Sequence, residues 1–282
     1  MGRIRCRKWI LRVRQRTFED YTWVIGRHLA GRPLARKPLS TVSPADIQEL
    51  YTSIMAGGTG PHGVRKLRAV LRQALQQAVK WRELTQNPAL FVDLPRVKRK
   101  PELRILHAPD FPAFVQAALE EDRLGVLWVL ALATGMRPEE YLGLQWGDFS
   151  PDSRRVTVNR VLVRPLKRVA GESPWRFEAP KTEKSRRTLT IEPTMAVLLR
   201  HHRAQQNQEK LAAGPAYDDH GLVFANELGA PLHLDNLRNL NFKRILERAG
   251  LPLNLTPYSL RHSAATALLK DRESLKVVNE LL

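Results

Sequence analysis

Three basic side chains stand where packing does not account for them. Arg137 lies in Ala133-Thr134-Gly135-Met136-Arg137-Pro138-Glu139-Glu140, where one apolar helix is expected to end and another to begin. A glycine turn followed by Pro138 would present Arg137 beside a helix N-terminus, where backbone N–H groups and the dipole favour an anion. Lys181 stands between Pro180 and Thr182 in a polar run. Arg261 lies in Tyr258-Ser259-Leu260-Arg261-His262, on the first turns of a helix capped by Thr256 and begun by Pro257. Singly, each has the type and spacing of an ordinary surface charge. The chemistry they offer is the holding of an anion.

The elements that must position these residues are mixed. Asp110 to Glu121 and Leu124 to Ala133 read as helices, the second so apolar that it belongs at the centre of a core. Val156, Val158 and Val161–Val163 read as a strand, Trp175–Phe177 as a second and Thr188–Ile191 as a third. The polar run Glu178 to Arg187 between the last two is expected to be a hairpin tip carrying Lys181. Helices resume at Pro193–Lys210, Leu234–Ala249, Thr256–Lys270 and Ser274–Leu282.

Ahead of these lies a helical unit. Phe18, Tyr21, Trp23 (or Val24), Ile25 and Leu29 recur at helical spacing, and Gly31 with Pro33 ends the run. Ser43-Pro44-Ala45-Asp46 starts a second helix through Ile47, Leu50, Tyr51 and Ile54, stopped by Gly57-Gly58. A third spans Pro61 to about Glu83, with Val64, Leu67, Leu71, Leu75, Ala78 and Val79 as its apolar stripe. Arg65, Arg68 and Arg72 share a different face, and Asn87-Pro88 leads into a turn around Ala89–Val92. Pro95 to Pro101 brackets a basic run without apolar period, which reads as a linker. The expected organisation is a helical domain over 1–94, a basic linker over 95–104 and an α+β domain over 105–282, mainly α with a small antiparallel β-sheet.

Charge names the class of partner. The 282 residues hold 46 Lys and Arg against 28 Asp and Glu, a net charge of +18. Residues 1–108 contribute 22 basic and 7 acidic side chains, and residues 151–190 another 11 and 4. Charge so lopsided calls for a polyanion, and nucleic acid is the commonest. Arg65, Arg68 and Arg72, with Arg96, Lys98, Arg99 and Lys100 of the linker, are expected to grip phosphates and set affinity. A basic face kept for solubility is the bland alternative, and an anionic membrane surface a distant third. No run of eighteen apolar residues exists, and the basic N-terminus lacks the apolar core of a signal peptide. One cysteine, Cys6, excludes a disulfide framework and fits a reducing compartment, so a cytoplasmic protein is expected, in a bacterial cytoplasm or nucleoid.

The three basic residues also match a known pattern. Thr134-Gly135-Met136-Arg137-Pro138-Glu139-Glu140-Tyr141-Leu142-Gly143-Leu144-Gln145-Trp146-Gly147-Asp148 resembles the first arginine box of the tyrosine recombinase (phage integrase) family. Pro180-Lys181-Thr182 with Ser185-Arg186-Arg187-Thr188 resembles that family's lysine hairpin. Thr256 to Thr266, centred on Leu260-Arg261-His262, resembles its second arginine box, and Ser43-Pro44-Ala45-Asp46-Ile47 its helical core-binding domain. The boxes come in the family's order and the resemblance spans nearly the whole chain.

The resemblance implies binding of double-stranded DNA and strand exchange through a 3′-phosphotyrosyl intermediate, without metal or nucleotide cofactor, on a higher-order assembly that is a tetramer in the family. The chemistry suits the residues. Two guanidinium groups can bind the nonbridging oxygens of a pentacoordinate phosphate, and remain charged at any working pH. Lysine on a hairpin can give a proton to the leaving 5′-oxygen. Glu140, three residues after Arg137, either orients the guanidinium or is an ordinary helix surface charge.

Two departures from the pattern stand out. Tyr258 occupies the place usual for histidine; with a pKa near ~10 a phenol is a poor proton shuttle, but it can donate a hydrogen bond to a phosphate oxygen. His262 lies either near the site or buried as a structural histidine. The run Leu275 to Leu282 resembles the lead-in to the family's Gly-His box and nucleophilic tyrosine, and the sequence ends there. The tyrosines are Tyr21, Tyr51, Tyr141, Tyr217 and Tyr258, none in the nucleophile's place in the order. The expectation is a site-specific recombination and integration protein that binds DNA but does not cleave it alone, with assembly weakened by the missing tail. The alternative is a non-catalytic DNA-binding remnant or modulator of recombination; an RNA-binding protein ranks lower, because of the arginine boxes.

Overall fold

The computed structural model describes residues 15–95, 104–121, 123–165, 173–181 and 185–270. The chain separates into two compact units, one within Met1–Pro101 and the other within Glu102–Arg164 and Ser173–Leu282. Arg96, Lys98, Arg99 and Lys100 of the expected linker, and the expected helix Ser274–Leu282, lie outside the described residues.

The first unit is helical: α1 (Gln15–His28), the single turn α2 (Pro33–Arg36), α3 (Pro44–Ala56) and α4 (Pro61–Lys80). In α1 the buried apolar residue is Val24, while Trp23 is nearly half exposed, because α1 packs on α4 along the face that holds Val24. α3 begins with a capping box: the Asp46 N–H donates to Ser43 Oγ and the Ser43 N–H to Asp46 Oδ2 at 2.8 Å, with Pro44 at the first turn. Ile47, Leu50, Tyr51 and Ile54 of α3 meet Val64, Leu67, Leu71 and Leu75 of α4 in one core, which Val70 also joins. Asn87 closes the unit. Its Nδ2 donates to the Arg72 carbonyl at 2.9 Å and its Oδ1 accepts from the Ala89 N–H, fixing the 3₁₀ turn Pro88–Leu90 against α4.

The second unit is built round a helix that is buried on nearly every side. α5 (Phe111–Glu120) leads to α6 (Gly125–Thr134), in which Leu127, Trp128, Val129, Leu130, Ala131 and Leu132 are all buried. Gly125 makes the α5–α6 crossing possible: a Cβ there would stand 1.7 Å from the Ala118 carbonyl oxygen. After the short α7 (Pro138–Tyr141) come β1 (Arg155–Thr157), β2 (Val161–Val163), β3 (Arg176–Glu178) and β4 (Thr188–Thr190), then α8 (Pro193–Ala213). The run 234–248, α9, contains a π turn over Leu237–Phe242, wide enough that the adjacent Asn241 and Phe242 are both buried. Asn241 accepts the indole N–H of Trp128. α10 (Pro257–Lys270) packs against α6. The molecule is thus mainly helical with small antiparallel ladders.

The strands correct one expectation. β3 and β4 do not form a hairpin with each other among the described residues. β3 pairs with β2 (Leu162 opposite Phe177) and β4 with β1 (Val156 opposite Leu189), both antiparallel. β1 and β2 are separated only by residues 158–160, and the returning chain pairs first with β2 at Arg176–Glu178 and then with β1 at Thr188–Thr190. Lys181 therefore lies between two ladders along the chain rather than at the tip of a β3–β4 hairpin. Among the described residues, no helix is long and apolar enough to cross a membrane.

Candidate phosphate-binding site

Arg137, Glu140, Tyr258 and Arg261 gather at the corner where α6 gives way to α7. α6 ends at Thr134, and Gly135 takes φ 61°, a left-handed turn that costs glycine little. The turn returns Met136 to the core and leaves Arg137 at the mouth of α7. The anion site expected from a helix N-terminus is not offered there. α7 is a single turn, and the Arg137 N–H already donates to Glu140 Oε2 at 2.9 Å. The positive charge of the corner comes from side chains instead.

Glu140 is no surface charge: it is 1% exposed. Its Oε1 accepts from Arg137 Nη1 at 2.8 Å, and its two oxygens accept from Arg187, Oε2 from Nη2 at 2.9 Å and Oε1 from Nη1 at 3.3 Å. Burial works to raise the Glu140 carboxyl, but hydrogen bonds from Arg187 and from the Arg137 amide outweigh it, and the group titrates below the ordinary carboxylate range. A buried, doubly paired carboxylate thus backs the Arg137 side chain, which remains 43% exposed.

Arg261 reaches the same corner from α10, where its Nη1 donates to the Gly135 carbonyl at 2.7 Å. Burial, and then the neighbouring Arg137 charge, pull its guanidinium down to about 10, which leaves it cationic at neutral pH. Tyr258, three residues earlier on α10, donates its hydroxyl to Glu139 Oε1. Burial first, and the Glu139 carboxylate second, push this phenol well above its ordinary value, so it is protonated throughout the neutral range. His262 is exposed, which corrects the reading of it as a buried structural histidine. Lys181 is also exposed, in the loop that ends at Arg187.

The far end of that loop is fastened twice. Besides the Arg187–Glu140 pair, Arg186 Nε donates to Asn159 Oδ1 at 3.2 Å, and Asn159 Nδ2 donates to the buried Asp148 at 2.9 Å. Sequence reasoning did not single out Arg187 or Glu139. The signal for Arg187 was available: Leu189 and Ile191 are core residues two and four positions on, so period-2 alternation turns Arg187 inward, where a charge needs a partner. Glu139 carried no such signal, since its partner is brought from 119 residues away.

On the helical unit, Arg65 and Arg72 are exposed on α4 and Arg68 is intermediate, its Nε buried and without a hydrogen-bond partner among the described residues. Among the described residues, no group of three or more His, Cys, Asp or Glu side chains could hold a metal ion.

A family model, Phage integrase family, matches residues 104–282. The chain belongs to the phage integrase family. This family member is 29% identical over 278 residues to a protein named tyrosine recombinase XerC-like, of Caldanaerobacter subterraneus subsp. tengcongensis, covering 94% of this chain and 70% of the relative. It is 29% identical over 263 residues to an integrase of Streptomyces ambofaciens, covering 92% of this chain and 65% of the relative. The chain thus spans about two thirds of the length of these relatives. Among solved structures it is similar to the Tn1549 transposon integrase in complex with transposon right end DNA, with a TM-score of 0.79 at 18% identity, covering 98% of this chain and 88% of that one. The lambda integrase tetramer bound to a Holliday junction gives a TM-score of 0.64 at 18% identity, covering 99% and 72%. At such identities the likeness is one of fold, and the fold is that of the tyrosine recombinases.

Proposed function

We propose that this member of the tyrosine recombinase family binds duplex DNA in site-specific recombination and holds one backbone phosphate between Arg137 and Arg261. The observation that carries the reading is their meeting at the Gly135 turn, one guanidinium braced by buried Glu140 and the other by the Gly135 carbonyl. Two bidentate cations suit the charge that gathers on the nonbridging oxygens during phosphoryl transfer. Lys181, on the loop fastened through Arg187, is the group that would pass a proton to a leaving 5′-oxygen. Arg65, Arg68 and Arg72 on α4, with the linker cations Arg96, Lys98, Arg99 and Lys100, supply sequence-independent grip. The DNA-bound Tn1549 and lambda integrases support a DNA partner, and the lambda tetramer supports assembly on it.

Neither tyrosine at the corner is poised to attack. Tyr258 gives its hydroxyl to Glu139, and Tyr141 is fully buried, burial raising its phenol well above the ordinary value. Residues 1–282 are therefore expected to bind duplex DNA without forming a covalent link through either of these tyrosines. The test is a nicked suicide duplex carrying the sequence that the protein protects in footprinting. A non-covalent, salt-sensitive complex is expected; a covalent adduct in a denaturing gel would overturn the non-cleaving reading. Failure to bind duplex DNA at low salt would overturn the function itself.

A further inference from the structure

We propose that Arg187 is the positioning residue of this corner: it compensates the buried Glu140 carboxylate so that Arg137 stays oriented yet available to an anion, and it ties the start of β4 to the same point. The proposal rests on the reading of Arg137 and Arg261 as a phosphate site.

The division of labour follows from the donors around Glu140. Among the described residues its two oxygens take four hydrogen bonds, two from Arg137 (amide and Nη1) and two from Arg187 (Nη1 and Nη2). The Arg137 side chain is 43% exposed, whereas the Arg187 side chain is 7% exposed. If Arg137 were the sole partner of Glu140, an incoming anion would have to draw it from a buried carboxylate and leave that charge uncompensated. With Arg187 in place, Glu140 keeps a two-pronged cation whatever Arg137 does. Arginine is suited to this task, because its planar fork spans both oxygens where a lysine ammonium would reach as a point charge. Among the described residues, Arg261 and Tyr258 from α10 also act on Glu140, and Glu139 on its own element is turned to Tyr258 instead.

Arg187 also fixes its own stretch of chain. Its carbonyl accepts the Val158 N–H at 2.8 Å, extending the β1–β4 ladder, so backbone and side chain together pin the lead into β4 to the strand and to α7.

The experiment uses inorganic sulfate, a tetrahedral dianion whose charge is constant across the mildly acidic to neutral range, with binding measured by calorimetry on the full chain and folding followed by melting temperature. Arg137→Gln and Arg261→Gln should each weaken sulfate; if neither does, the corner is no anion site and this inference falls with that reading. Given that they do, Arg187→Gln should lower affinity about tenfold at neutral pH, the worth of one charge-assisted hydrogen bond. Relative to the parent, that loss should shrink as the solution is made mildly acidic, since a Glu140 left with Arg137 alone takes up a proton and releases it. Arg187→Lys, which keeps the charge, should show no such pH-dependent ratio. Glu140→Gln combined with Arg187→Gln should abolish the ratio by removing the titrating group, and this pair serves if Arg187→Gln does not fold. A fall in melting temperature with sulfate affinity unchanged, a loss independent of pH, or a ratio that persists in the double variant would each overturn the proposal while leaving the phosphate site standing.

Discussion

Glu140 carries the corner's pH dependence as well as its geometry. Its carboxyl titrates below the ordinary value of 4.5 in the folded chain, so its contribution to stability is complete above that value and is lost as pH falls through the lower, folded one. Melting measured from about pH 6 down to about pH 3 should therefore fall, and Glu140→Gln should flatten that part of the curve. The same substitution should cost about 3–5 kcal/mol at neutral pH, because it strands the buried Arg187 charge. Urea denaturation gives that figure directly, and a loss under ~1 kcal/mol would place Arg187 in water. Arg137→Ala has a different expected outcome. Its head is exposed and Glu140 keeps Arg187, so the fold should hold while protection of one backbone phosphate disappears from the footprint.

At the scale of elements, a close approach, a cap and a helix face make separate demands. α6 can cross α5 only because residue 125 has no side chain, the Ala118 carbonyl occupying the space a Cβ would take. Gly125→Ala should destabilise the second unit by about 3 kcal/mol or more, through forced displacement of one helix in a packed core. Calorimetric melting of the variant is the check, and a loss of under ~1 kcal/mol would mean that the crossing yields easily. At the start of α3, Ser43→Ala removes the acceptor of the capping box and should cost about 1 kcal/mol. On α4, Arg65 and Arg72 are both exposed. Replacing both with Gln should weaken binding to all duplexes alike and reduce the slope of log K against log salt by about 0.9 for each phosphate no longer neutralised. A reduction confined to one sequence would assign them to base reading instead.

For the whole molecule, charge is the property that acts at a distance. The net +18 is concentrated in residues 1–108, so most of the salt dependence should reside there, and under the proposed function discrimination of one phosphate should reside in the second unit. Variants of the Arg137 corner should consequently reduce the salt slope by no more than about 0.9, the share of one phosphate, and the double variant of α4 by up to about twice that. Measuring both series against the same duplex separates the two contributions; equal slopes in the α4 series and the parent would count against the first unit as the electrostatic grip.

The amino-acid sequence determined what depends on neighbours along the chain. Ser43-Pro44-Ala45-Asp46 starts a helix because cap and carboxylate are three residues apart; the apolar run of α6 is central because no face of it is polar; Gly135 ends it because only a left-handed turn follows. The boxes around Arg137, Lys181 and Arg261, and their order, carried the family resemblance. Tertiary structure decided what depends on partners far apart in the chain. Glu140 went from an open choice to a buried acid because Arg187 arrives 47 residues later, Tyr258 was claimed by Glu139 from 119 residues before it, and the supposed hairpin became a loop because each of its flanking strands found a different partner. The reason is common to all three. A buried charge or an open strand edge is satisfied by whichever partner the fold brings within hydrogen-bonding distance, and that distance is unrelated to spacing in sequence.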